Sequence, residues 1–267
     1  MAAGWGSKRV LIAVRTYPVP ATKSIEASCT AGITEDGQWI RLFPIPYRLM
    51  AEENRFSKWQ WITTDAVKAT SDARPESFKL NSDTIHAGEK IGTADGWRER
   101  RDLIRPLLRK SMCEIRRELQ AKGAPTLGIF RPGRIKRLVL EEDAADWNAD
   151  QRAILKQDDL FQKTPTQALE KIPFKFVYEF DCDDPECRGH RMSCTDWEMA
   201  QAYRRWRLQY RADWEKAFRA TFERDMIEKY DTHFFVGTIH QHPNNWIIVG
   251  LFYPPKKEPD LFDRLPK

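Results

Sequence analysis

The sequence has no stretch of about 18 consecutive apolar residues, so no segment reads as a helical membrane span. Cysteine is scarce, at five in 267 residues, which excludes a small disulfide-dense scaffold. A chain of this length buries a core without such staples. No Walker loop, dinucleotide fingerprint, nucleophile elbow or His-Glu zinc-protease motif occurs, which removes the enzyme classes those motifs mark. There is no internal repeat, low-complexity tract or Gly/Ser linker, so neither a solenoid nor a fixed domain boundary is indicated. The first apolar run, Val10 to Val14 between Arg9 and Arg15, is too short for a signal-peptide core. The expected compartment is therefore the cytoplasm, where cysteines stay reduced and a cysteine cluster points to metal.

What the chain does have is 41% hydrophobic and 31% charged residues, the balance of a globular protein. It also carries ten tryptophans and a net charge of +5. A mildly basic balance permits a polyanionic partner without requiring one.

Strands are expected at "RVLIAVRTY", on both sides of an Asp36-Gly37 turn, at "WQWITTDAVKAT" and at "IKRLVLEE". The alternation in "FKFVYEFDC" places Phe174, Phe176, Tyr178 and Phe180 on one face. Helical rhythm runs through residues 95–122, with Pro106 starting or kinking a helix. Thr195 and Glu198 form a capping-box pattern, predicting a long helix to about Tyr230. A final hairpin is expected around Pro243-Asn244-Asn245. The fold class is α+β: one mixed or antiparallel sheet made of N-terminal strands, "FKFVYEF" and the C-terminal hairpin, packed by the long helix. The sequence divides into a β-rich part (1–97), a helical and mixed middle (98–173) and a final part (174–267), or forms one continuous domain.

The candidate site is "FDCDDPECRGHRMSCTDWE". Cys182, Cys187, His190 and Cys194 fall within thirteen residues, a donor set suited to tetrahedral Zn2+. Gly189 lets the backbone turn sharply there. Such an ion would staple a strand-to-helix corner and contribute to folding directly. A zinc module touching a ligand, a catalytic or redox metal, and a metal-free set of thiols or a Cys182–Cys187 disulfide are the other readings. If Cys194 is not a ligand, a distant residue, His or Asp, completes the site, or water leaves it open. His240 and His242, with His233 nearby, form a second candidate for metal or proton transfer.

Arg188, Arg191, Arg204, Arg207 and Arg211 are candidate phosphate contacts, interleaved with Tyr203, Trp206 and Tyr210 as in single-strand binders. The leading expectation is a zinc-containing nucleic-acid-binding protein in housekeeping or defence, with DNA and RNA both open. One alternative is a metal-dependent nuclease or hydrolase using Glu141, Glu142 and Asp143 after a strand. The other is a non-enzymatic module with a structural zinc and a protein partner.

Overall fold

The computed structural model describes residues 4–122, 125–156, 168–240 and 242–256. Seven strands come first: β1 (Gly6–Arg15), β2 (Val19–Ala21), β3 (Ile25–Thr34), β4 (Trp39–Ile45), β5 (Gln60–Lys68), β6 (Ser77–Leu80) and β7 (His86–Lys90). Gly37, at φ 76°, makes the β3–β4 turn that Asp36-Gly37 predicts. These strands pair in the order β1-β3-β4-β6-β5, and β5 also pairs with β1, so five of them close into a ring. Side-chain alternation then has a simple meaning. Val10, Ile12, Ile40, Leu42 and Ile62 point into the barrel and are capped by Met50, Phe56 and Ile85. Leu11, Ala13, Ile33 and Trp39 point outward.

The chain then forms α1 (Ala94–Ile104), β8 (Leu108–Arg109), α2 (Met112–Lys122), β9 (Leu127–Phe130), β10 (Arg134–Glu142) and α3 (Ala149–Lys156). Pro106 sits in a 3-10 turn immediately after α1. Next come β11 (Phe174–Asp181), β12 (His190–Cys194), α4 (Trp197–Tyr210), α5 (Trp214–Arg219), α6 (Met226–Glu228), β13 (His233–Ile239) and β14 (His242–Phe252). The strands from β8 onward build a second sheet, ordered β10-β11-β12-β14-β13-β9-β8.

The architecture is thus α+β with two mixed sheets, where the sequence suggested one. Ring closure explains the difference. Both edges of β1 are taken by β3 and β5, and only an isolated bridge, Thr16 to Asp196, crosses to the second sheet. The sheets meet face to face through the outward residues of the barrel and Leu127, Ile129, Phe235, Val249 and Phe252. The other face of the second sheet carries Phe176, Tyr178, Phe180, Phe234 and Ile248 and is covered by the C-terminal helices.

Those helices and the last hairpin depart from expectation in three places. Asp196, not Thr195, caps α4, its Oδ1 accepting from Glu198 N at 2.8 Å and Met199 N at 3.1 Å. Thr195 instead donates its backbone N–H to Ile248 O. The helical run breaks at Arg211, whose φ is 48°. The chain folds back there, bringing Trp214 to 4.9 Å from Tyr203 and Phe222 to 5.9 Å from Trp206. A straight helix to Tyr230 would carry those aromatics away from each other; the reversal buries them. In the last hairpin, Ile239 pairs with His242 and Thr238 with Trp246. Pro243–Asn245 therefore bulge out of β14 rather than forming the turn, which runs through His240.

Polar ties join the two sheets. Arg74, in the loop before β6, donates to Thr238 O of β13 at 2.8 Å and is held by both carboxylate oxygens of Asp72. Burial alone would raise the Asp72 pKa, but the Arg74 guanidinium and backbone N–H hold it well below the usual range. A lowered carboxyl contributes stability above its unfolded pKa of about 3.9 and loses it as pH falls. Wild type should therefore out-melt Asp72→Asn at about pH 6, and thermal melts should show the gap begin to narrow only below about pH 4 and persist in part at about pH 3.

Candidate metal centre

Four soft donors converge at one end of the second sheet: Cys113, Cys182, Cys187 and His190, their ligand atoms all within 4.8 Å of one another. The Cys113 Sγ to His190 Nε2 distance is 3.4 Å. A tetrahedral ion with bonds of about 2.0–2.3 Å implies donor separations of about 3.5–3.8 Å, so small rotations would seat one.

Each donor is placed by local structure. Cys113 lies in the first turn of α2. Ser111 Oγ accepts from Glu114 N at 2.9 Å, and the Glu114 carboxylate reaches back to Lys110 N at 2.6 Å. This reciprocal cap fixes the helix start, where the dipole favours a thiolate. Cys182 directly follows β11, Cys187 sits in the hairpin loop and His190 opens β12, paired across from Phe180. Asp184 ties that loop to α2 by accepting from Arg117 at 2.6 Å and Ser111 at 3.3 Å. Gly189, at φ 87°, turns the chain between Cys187 and His190, and an added Cβ would press on Asp181.

Backbone N–H groups already serve the sulfurs. Met112 N lies 3.3 Å from Cys182 Sγ, while Cys182 N and Gly189 N lie 3.2 and 3.4 Å from Cys187 Sγ. Burial would raise the Cys187 thiol, but these N–H groups and the neighbouring thiols outweigh it and lower its pKa. Burial pushes Cys182 up to about 12 and also raises Cys113, with the Cys187 charge adding to the latter. His190 is lowered, first by burial and then by Arg116, which favours the neutral imidazole a metal needs. Its ring stacks on Phe180 at 5.0 Å, with Nδ1 buried and without a hydrogen-bond partner.

Three of the four residues expected from sequence are therefore together, and Cys194 is not among them. It lies at the far end of β12, paired with Phe176, in the core under α4. The stretch is not a strand-to-helix corner but a hairpin, because His190–Cys194 forms a strand whose alternate side chains, Met192 and Cys194, turn inward. Cys113 takes the fourth place. Its sequence signal was its position inside "SMCE", the start of a capped helix, but nothing in the spacing linked it to a loop so distant in the chain.

The predicted arginines divide. Arg191 pairs with Glu141 and Glu179, and Arg204 and Arg207 both pair with Glu170. Arg188 and Arg211 are exposed. The set does not form one patch: Arg204 and Arg207 meet Glu170, which precedes β11, whereas Arg188 follows that strand, and an eight-residue strand spans about 26 Å. Glu141 is taken by Arg191 and Asp143 by Lys171 at 2.7 Å. Among the described residues no group of carboxylates converges as a two-metal hydrolase would need. His240 contacts Asp72, and His233 Nδ1 donates to Asp231 O, so the histidines do not gather either.

The fold and the site define a two-sheet α+β protein with a Cys3His group able to hold a metal ion. A family model described as a domain of unknown function, DUF8757, matches residues 108–266, and the chain belongs to that family. A second model, described as DUF8758, matches residues 6–106, the stretch that forms the barrel and α1. No curated protein matches the chain. No helix among the described residues is long and apolar enough to cross a membrane.

Proposed function

We propose that this is a zinc-stabilised nucleic-acid-binding protein. The observation that carries the zinc reading is the convergence of three thiols and an imidazole from α2 and the β11–β12 hairpin. That donor set is typical of closed, structural Zn2+ sites, with no position left open for substrate. Three thiolates around Zn2+ carry a net charge of −1, and the cations on the same elements oppose it. Some of those cations are already matched by acids: Arg117 by Asp184, and Arg134 and Lys136 by Asp181. Arg116 on α2 and Arg188 in the loop are exposed and make no ion pair among the described residues. They are the side chains the zinc centre would present to phosphates.

Purified protein should carry about one zinc per chain. Binding to a labelled single strand should weaken with salt, and Arg116→Ala and Arg188→Ala should each reduce the slope of log affinity against log salt by about one. A flat salt dependence, or slopes that both variants leave unchanged, would sink the nucleic-acid reading while leaving the zinc reading intact.

A further inference from the structure

The geometry points to a second, separate ligand site: a nucleotide-sized pocket on the outer wall of the barrel. It stands apart from the metal centre, since none of the four donor residues lines it. Its volume is about 420 Å³, within the range of about 300–1,000 Å³ usual for small-ligand pockets. The β2–β3 turn, the end of β4, the loop before β6, α3 and the β13–β14 turn enclose it.

Its chemistry has two parts. Phe43 lies on the outer face of β4, opposite the barrel-filling Leu42, and is 42% exposed. A large aromatic left half-open at a pocket wall, among prolines and alanines, offers a flat apolar surface. The second part is charge. Lys23, Arg74, Lys79 and His240 line the same pocket, against Asp72 as its single acid among the described residues. Asp72 is already committed, clamped by Arg74 and facing His240 Nδ1 at 3.4 Å. Lys23 and Lys79 make no ion pair among the described residues, which leaves a positive surplus. Arg74 is held on three sides and so shapes the wall rather than reaching for a ligand.

A planar ring on Phe43 with a phosphate between Lys23 and Lys79 satisfies both parts. The ligand class is a nucleoside phosphate, either free or as one unit of a strand. The test is calorimetric titration of the full chain at low salt with adenosine monophosphate and, separately, with an oligothymidine of about eight nucleotides. At least one should bind saturably. Tighter binding of the free nucleotide identifies a soluble ligand, and tighter binding of the strand identifies a stacking step in strand capture. Phe43→Ala should weaken binding about fivefold or more. Lys23→Ala and Lys79→Ala should each weaken it about tenfold. Arg116→Ala and Arg188→Ala should leave mononucleotide affinity unchanged, which separates this site from the zinc-loop reading. Matching wild-type and variant melts exclude misfolding. No saturable binding to either probe, or equal binding by the Phe43 and lysine variants, overturns the proposal.

Discussion

Cys113→Ser should strip the zinc from the protein and lower its melting temperature by about 10 °C. Structural zinc in isolated fingers supplies roughly 10–16 kcal/mol of apparent binding energy. Here three hydrophobic clusters also hold the fold, only one of them packed against the site, so only part of that should be felt. A loss of about 3–4 kcal/mol corresponds to about 10 °C in a chain of this size, at about 2–4 °C per kcal/mol. Metal analysis and thermal melts measure both effects. The informative companion is Cys194→Ala. Cys194 is buried under α4 and outside the donor group, so this variant should keep its zinc despite a small packing loss. Full zinc in Cys113→Ser together with lost zinc in Cys194→Ala would restore the set read from sequence spacing.

Lys58→Met should cost about 3–5 kcal/mol, again about 10 °C. Lys58 precedes β5 in the barrel and is 8% exposed at its side chain. It donates to Leu251 O at 2.9 Å and lies 3.3 Å from Asp196 and 3.4 Å from Glu198, all in the second sheet's half of the molecule. Asp196 is 2% exposed and also accepts from Leu251 N, so removing its cation strands a buried charge. Burial raises the Asp196 pKa, and the Lys58 charge opposes that rise. Burial would lower Lys58, but the two carboxylates more than offset it and raise its pKa. A raised lysine contributes stability fully present below its unfolded pKa, about 10.4, and lost as pH climbs through the folded value. Adding Asp196→Asn to Lys58→Met should recover part of the loss, because the amide oxygen still caps α4 without a charge. A Lys58→Met melt within about 2 °C of wild type would refute the coupling.

These two expectations differ in how far the sequence could reach them. Period-two alternation found β4 and β11 and divided their faces, and a short apolar run found β1, because burial is decided locally by side-chain direction. It did not find the barrel, since ring closure is a matter of which edges pair, and nothing in β1 or β5 alone encodes that. β12 was hidden because "HRMSC" is short and polar on its outer side. The helix break at Arg211 escaped because the residues on both sides are good helix formers, and the reversal is driven by aromatic packing between α4 and α5. Within the site, Cys182, Cys187 and His190 were legible by proximity. Cys113 and Lys58 act through contacts across the fold, and their partners lie far off in sequence.

The separation between Cys113 and its fellow donors would give a bound metal a topological role. Cys182, Cys187 and His190 come from one hairpin and on their own would tie only a short loop. Cys113 stands 77 residues before His190, so its bond to a bound ion would convert a local knot into a long-range cross-link. By the loop-entropy estimate used for disulfides, fastening a loop of that length restricts the unfolded chain by about 4 kcal/mol. That share is carried by one ligand. Losing Cys187 would leave the long loop closed if the ion stayed, whereas losing Cys113 opens it outright. Among the four donors, the one most distant in sequence would therefore govern how much of the unfolded ensemble a bound ion forbids.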